Sequence, residues 1–325
     1  MTKTIFRAAC LATAALALLI FRPAYADEYP TKPIRLIVPF APGGGTDIIA
    51  RIFTADMSEA LHQSMIIDNR GGAGSSLGTE LATRAPPDGY TLLFGNISLA
   101  FNQALYSRLS YNAVTDLATV SLVAVQPNIV VIYPGQPANT VAEFAALARA
   151  KPGQITYASA GVGSGTHLAG ELLGQLLKIK LLHVPYKGTG PALTDLIGGQ
   201  VQMMVSTFAS ALPHVKSGRL RALGVTSAKR SAAAPEVPTL IEAGVAGYVY
   251  NTWYGLLAPA GTPRAIIDRL HQKTLKALAR EDSRRKFDEQ GVETLTNTPA
   301  EFAAYLKSET GKWVSVVRAA GITLQ

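Results

Sequence analysis

Two glycine-built junctions, each leading from an apolar strand into a helix, constrain this chain more than any other feature. The first is Pro39-Phe40-Ala41-Pro42-Gly43-Gly44-Gly45-Thr46-Asp47. It follows a strand read over Ile34 to Val38 and precedes a helical stretch with Ile48, Ile49, Ile52, Phe53, Met57 and Leu61 along one face. The second is Ala158-Ser159-Ala160-Gly161-Val162-Gly163-Ser164-Gly165-Thr166-His167, between a strand over Gln154 to Ser159 and a helix from about Thr166 to Lys178. Glycine lets the backbone turn sharply and approach another group closely. The amides that open a helix have no intrahelical acceptor and carry partial positive charge, which suits an anion. Ser159, Ser164 and Thr166 add hydroxyl donors, and His167 sits in the first turn, where it could donate to an oxyanion. The first junction taken alone fits a tight turn with Thr46 as a plain cap equally well; two such junctions in one chain are more informative. Facing each other across a cleft, they would hold both ends of a dicarboxylate, or a carboxylate and a polar tail.

Around these junctions, strands and amphipathic helices alternate rather than segregate, which predicts α/β layering with mostly parallel sheets. Strands are read at Ser64 to Asp68, Thr91 to Phe94, Leu181 to Pro185, Val201 to Val205, Leu220 to Thr226 and Tyr248 to Leu257. Helices are read near Leu77 to Arg84, at Pro191 to Ile197 and at Ala209 to Ser217. Capping boxes at Thr140-Val141-Ala142-Glu143 and Thr298-Pro299-Ala300-Glu301, and a Thr262-Pro263 start, mark three more. In open α/β sheets ligands bind at the carboxyl ends of strands, where both glycine junctions lie.

The N-terminus reads as a secretory signal peptide. Lys3 and Arg7 precede an apolar run from Leu11 to Phe21, and Ala24-Tyr25-Ala26 supplies the cleavage signature, with the cut after Ala26. The run is about half of the ~20 residues that span a bilayer, so a membrane anchor is the weaker reading. Periplasmic export is the expected destination. The full chain carries 30 Lys and Arg against 22 Asp and Glu, a formal charge of +8, and losing Lys3, Arg7 and Arg22 leaves +5. The basic residues are scattered, which steers small anions but is no nucleic-acid footprint. The single cysteine, Cys10, leaves with the leader, so no disulfide or thiolate site is expected.

Enzyme signatures are missing. Gly161-Val162-Gly163-Ser164-Gly165-Thr166 has threonine where a dinucleotide fingerprint needs its third glycine, and Ser164 lacks the flanking glycines of a nucleophile elbow. His62, His167, His183, His214 and His271 show no metal-ligand spacing. No catalytic residue, cofactor or metal is expected.

Taken with Tyr29-Pro30-Thr31-Lys32-Pro33-Ile34-Arg35, Asn69-Arg70-Gly71-Gly72-Ala73-Gly74, Pro87-Asp88-Gly89-Tyr90, Val184-Pro185-Tyr186-Lys187-Gly188 and Trp253-Tyr254-Gly255-Leu256-Leu257-Ala258-Pro259, the chain resembles the Bug receptors, the extracytoplasmic solute-binding proteins of tripartite tricarboxylate transporters. The resemblance spans nearly all of the chain after the leader. It implies a periplasmic-binding-protein fold of the Venus-flytrap, type II-like kind, with mixed, mostly parallel sheets. One lobe would comprise residues 27–126 with 251–325 and the other 127–250, with hinge crossings near Gln126 and Tyr250. It implies a monomer that binds a small carboxylate and hands it to inner-membrane transporter subunits, with a sensor subunit for a histidine kinase as the alternative. Carried over by position, Phe40 and Ala41 to Asp47 (Gly45, Thr46 and Asp47 among them) form one pincer. Ser159, Gly163, Ser164, Thr166 and His167 form the other, and Asn96 and Ser98 face the cleft. Many relatives carry aspartate after the strand read here as Val201 to Val205; this chain has Ser206 and Thr207, which predicts poor binding of amino acids.

Overall fold

The computed structural model describes residues 29–106 and 108–319; the leader read at residues 1–26 lies outside them. β1 (Ile34–Val38) is flanked by parallel β2 (Met65–Asn69) and β3 (Thr91–Asn96). α1 (Gly45–Leu61) connects β1 to β2, and α2 (Ser76–Thr83) connects β2 to β3. After β3 comes α3 (Ser98–Leu105), then a 16-residue strand, β4 (Leu117–Ile132). A second parallel group follows: α4 (Val141–Ala150), β5 (Thr156–Ser159), α5 (Gly165–Leu177), β6 (Leu182–Pro185), α6 (Thr189–Ile197), β7 (Met203–Thr207), α7 (Phe208–Lys216) and β8 (Arg221–Val225). β9 (Asn251–Pro259) returns to the first group, and α8 (Arg264–Leu278), α9 (Glu281–Glu289), β10 (Glu293–Thr294) and α10 (Pro299–Ala319) complete the chain.

The strands form one mixed sheet in the order β2-β1-β3-β9-β4-β7-β5-β6, with β8 and β10 also on β4. Its two outer groups are parallel; β9 and β4 join them antiparallel. β4 belongs to both groups. Leu117 to Pro127 pair with β9, and Asn128 to Ile132 with β7 and β8. Where it changes partners, Asn128 N donates to Thr226 Oγ1 (2.7 Å), the Thr226 hydroxyl donates to Tyr250 O, and Thr252 Oγ1 donates to Asn128 Oδ1 (2.7 Å). This buried network lashes both chain crossings together. Beside it, Gln126 donates to Tyr254 Oη and accepts from Ala209 N (3.1 Å), joining β9 to the start of α7. The described residues from Lys32 onward pack as one body. No helix among the described residues is long and apolar enough to cross a membrane.

The strands and helices named from the sequence alternate as expected, but α3 and the long β4 are additions to that reading, and two strand starts shift in ways that bear on the site. The seventh strand starts at Met203, not Val201, because Gln202 is taken by its surroundings: Tyr133 N donates to its carbonyl (3.0 Å) and Thr156 N to its side chain (2.9 Å). Ser206 and Thr207 therefore lie in the strand rather than after it. The ninth strand starts at Asn251, not Tyr248. Tyr248 and Tyr250 instead turn their hydroxyls onto Ala169 O (2.7 Å) and Gly165 O (3.0 Å), bracing the first turns of α5.

Candidate functional site

The loop after β1 leads into a helix with no side-chain cap. Gly44 is the N-cap, and the first intrahelical bond runs from Ile48 N to Gly44 O (2.9 Å). The amides of Gly45, Thr46 and Asp47 therefore lack helical acceptors. The loop is held by Asp47, whose buried carboxylate accepts from Gly43 N (3.0 Å), Arg51 Nε (2.9 Å) and Asn69 Nδ2 (3.0 Å). Asn69 also donates to Phe40 O (3.0 Å), so both ends of the turn are tied to the end of β2. Burial would raise the Asp47 pKa, but these three bonds and the Arg51 charge outweigh it and hold the carboxyl below its ordinary value of 3.8.

Thr46 Oγ1 accepts from Asn96 Nδ2 (3.1 Å), and Asn96 Oδ1 accepts from Ser98 N (3.0 Å). With its oxygen engaged as an acceptor, the Thr46 hydroxyl hydrogen is directed away from Asn96. Thr166 is set the same way, by Ala160 N (2.8 Å). Ser164 caps α5, accepting from His167 N (3.2 Å), and Gly165 N donates across to Ser98 Oγ (3.3 Å).

These residues enclose a cavity of about 20 Å³. Phe40, Gly44, Gly45 and Thr46 line it from the start of α1, and Asn96 and Ile97 from the start of α3. Ala160, Ser164, Gly165 and Thr166 line it from the start of α5, Thr189 from the start of α6, Thr207 from the end of β7 where it caps α7, and Thr252 from β9. Five helices thus begin at one small space, and none of the side chains lining it is ionisable. Hydroxyls, one carboxamide and helix-opening amides make the cavity electropositive without a formal charge. A larger hollow of about 530 Å³ between α8, α10 and the start of β4 is an open, mostly apolar groove, so the smaller, polar cavity is the candidate site.

Of the residues expected from sequence, Phe40, Gly45, Thr46, Asn96, Ser164, Thr166 and Thr207 reach the cavity. Ala41 and Gly163 lie in the turns behind it, and Ser98 stands one bond back, through Gly165 N. Asp47 faces the loop it holds. Ser159 accepts from Gly161 N (3.1 Å) and lies 2.6 Å from His183 Nε2. His167 stacks on His183 (4.1 Å between ring centroids), with His167 Nδ1 accepting from Gly163 N (3.3 Å). Burial, together with the neighbouring His167, pushes the His183 pKa down to about 3; burial also lowers that of His167, with Glu171 opposing. Ser206 is fully buried and donates to Thr207 O (3.2 Å). Thr189 and Thr252 were missed. Gly188-Thr189 is a glycine and hydroxyl at a strand-to-helix junction, a signal open to reading; Thr252, inside a strand, gave none. Among the described residues no group of three His, Cys, Asp or Glu could hold a metal.

The model of the tripartite tricarboxylate transporter family receptor matches residues 49–322. The chain belongs to that family. The receptor is 36% identical to protein BugT of Bordetella pertussis, over 97% of this chain and 96% of BugT. Among solved structures it resembles Rpa4515 of R. palustris with adipate (34% identity, TM-score 0.88, covering 91% of the receptor and all of that chain). It also resembles MatC of Rhodopseudomonas palustris with bound malate (34%, TM-score 0.85, covering 89% and all of that chain). The family and these neighbours are solute-binding proteins, not enzymes, and the fold is the periplasmic-binding-protein fold.

Proposed function

We propose that the receptor captures a small organic diacid without an ammonium group, closes over it in the periplasm, and presents it to the inner-membrane subunits of a tripartite transporter. The observation that carries this reading is the convergence of five helix starts and six hydroxyl side chains on a cavity with no ionisable side chain in its wall. Fixed amide dipoles favour carboxylates. An ammonium would be buried with no counter-charge, which is costly. The adipate and malate named for the two neighbours belong to the same chemical class.

On this reading Phe40, Gly45, Thr46 and Asn96 form one jaw, and Ser164, Thr166 and Thr207 the other. Asp47, Ser98, Ser159, His167 and Ser206 act behind them, with Ala41 and Gly163 giving the turns their shape. Residues 27–126 with 251–325 move as one lobe and 127–250 as the other, about the crossings near Gln126 and Tyr250. Ligand shifts the lobes only by binding the closed form better than the open one.

A thermal-shift series with malate, adipate, succinate, aspartate and glutamate tests the ligand class, since a binder at a hundredfold excess over Kd stabilises by about 2.7 kcal/mol. The diacids should raise Tm and the amino acids should not. Tighter binding of aspartate than of any plain diacid would defeat the assignment. Loss of labelled diacid uptake on deleting the receptor, with the membrane subunits retained, tests delivery.

A further inference from the structure

We propose a second functional surface: a basic, leucine-tipped face at the base of β5 and β6 that rests on an anionic phospholipid bilayer. The last turn of α4, the turn after it, the end of α5 and the edge strand β6 are stitched into one surface. Arg149 Nη2 donates to Leu177 O (2.8 Å), Gly153 N to Lys180 O (3.0 Å), and Leu182 N to Ile155 O (2.9 Å). That surface presents Arg149, Lys151, Lys178 and Lys180, all exposed, and none has a carboxylate partner among the described residues. Between Phe144 and Leu182 the one acid is Glu171, which is engaged by Tyr157. Leu176 and Leu182 stand out among the cations at 43% and 53% exposure.

Capping does not account for this much charge. The carboxyl ends of α4 and α5 present roughly half a negative charge each, about one in total, against four cations. Lysine on an edge strand also discourages sheet-to-sheet pairing, but of these four cations only Lys180 flanks β6. Protein interfaces are depleted in lysine and enriched in aromatic residues; this face has three lysines, two leucines and no aromatic ring. Clustered lysine beside exposed apolar side chains is the chemistry that anionic headgroups attract. The face lies at the opposite ends of β5 and β6 from the loops that line the cavity, so contact there leaves the ligand site uncovered.

The test is co-sedimentation with vesicles of phosphatidylglycerol and phosphatidylcholine in equal parts, against phosphatidylcholine alone, at low and high salt. The protein should favour the anionic vesicles at least tenfold at low salt and lose that preference at high salt. K151E/K178E/K180E should abolish the preference and L176S/L182S should weaken it, with diacid affinity unchanged in both. The control K216E/K229E/K276E, equal in charge change, should keep most of it. Equal binding to both vesicles, or loss as large in the control as in K151E/K178E/K180E, would overturn the proposal. Indifference to both vesicles with patch-dependent retention on immobilised polyglutamate would overturn it in favour of an acidic protein partner.

Discussion

Asp47 shows how a residue can matter to a site it does not touch. Its carboxylate is consumed by Gly43 N, Arg51 and Asn69, which together fix the turn that aims the free amides of α1. Asp47→Asn keeps the shape but weakens three charge-assisted bonds, each worth about 1.5–3 kcal/mol. Diacid affinity should fall at least tenfold in calorimetry, with a smaller drop in Tm; unchanged affinity would show that the loop holds itself. The sequence marked Asp47 as important and misjudged its direction, since proximity to a glycine turn does not say which way a carboxylate faces. His183 gives the pH expectation. Its pKa lies near 3 in the folded protein against 6.5 for the free side chain, so the unfolded chain binds the extra proton. Stability is therefore complete above about pH 6.5 and declines as pH falls toward 3. Melting curves at pH 7 and 4.5 should differ less for His183→Gln than for the parent.

At the scale of elements, helix starts were the most legible part of the chain because their signals are local. Thr140 accepts from Glu143 N (3.1 Å), and Thr298 and Glu301 exchange bonds between Thr298 Oγ1 and Glu301 N (3.2 Å) and between Thr298 N and Glu301 Oε2 (2.7 Å). Thr298→Ala should cost about 1 kcal/mol in denaturant unfolding, the usual worth of such a cap. The glycines opening α1 and α5 carry a different constraint. A Cβ on Gly45 would lie 2.5 Å from Thr207 Oγ1, and one on Gly165 2.6 Å from Tyr250 Oη. Gly45→Ala should lower diacid affinity while helix content by circular dichroism stays the same, because alanine favours the helix and only the opposing wall objects. The long β4 escaped the sequence reading. Pro127 interrupts it, and proline in a run argues against a central strand; here it sits where β4 leaves β9 for β7 and β8.

At the scale of the whole molecule, the proposed capture of a diacid requires movement. A cavity of about 20 Å³ clears the roughly 10–15 Å³ that one water needs, and a six-carbon diacid needs several times that. Ligand entry therefore requires the walls to part. On the proposed two-lobe reading, the seam that parts carries bonds to backbone carbonyls: Ala41 N donates to Lys187 O (3.2 Å) and the Tyr106 hydroxyl to Val162 O (2.9 Å). A Cβ on Gly190 would lie 2.5 Å from Pro42 O across it. Gly190→Ala should leave the Tm of the ligand-free protein unchanged or raised, since Gly190 lies in α6, and should speed ligand release at least tenfold in stopped-flow measurements. Small-angle scattering should show the parent contracting on adding adipate and the variant contracting less.

By itself the sequence determined the alternation of strands and helices, the glycine junctions, the caps and the family, because periodicity, caps and turn chemistry are written within a few neighbouring residues. Only the tertiary structure decided which helix starts share one cavity, that Thr189 and Thr252 join it, that Asp47 and Ser159 face away from it, and where β4 changes partners. Those outcomes depend on contacts between segments far apart in the chain, such as Gly45 against Thr207 and Tyr254. Short-range signals carry no information about which distant surface a side chain will meet.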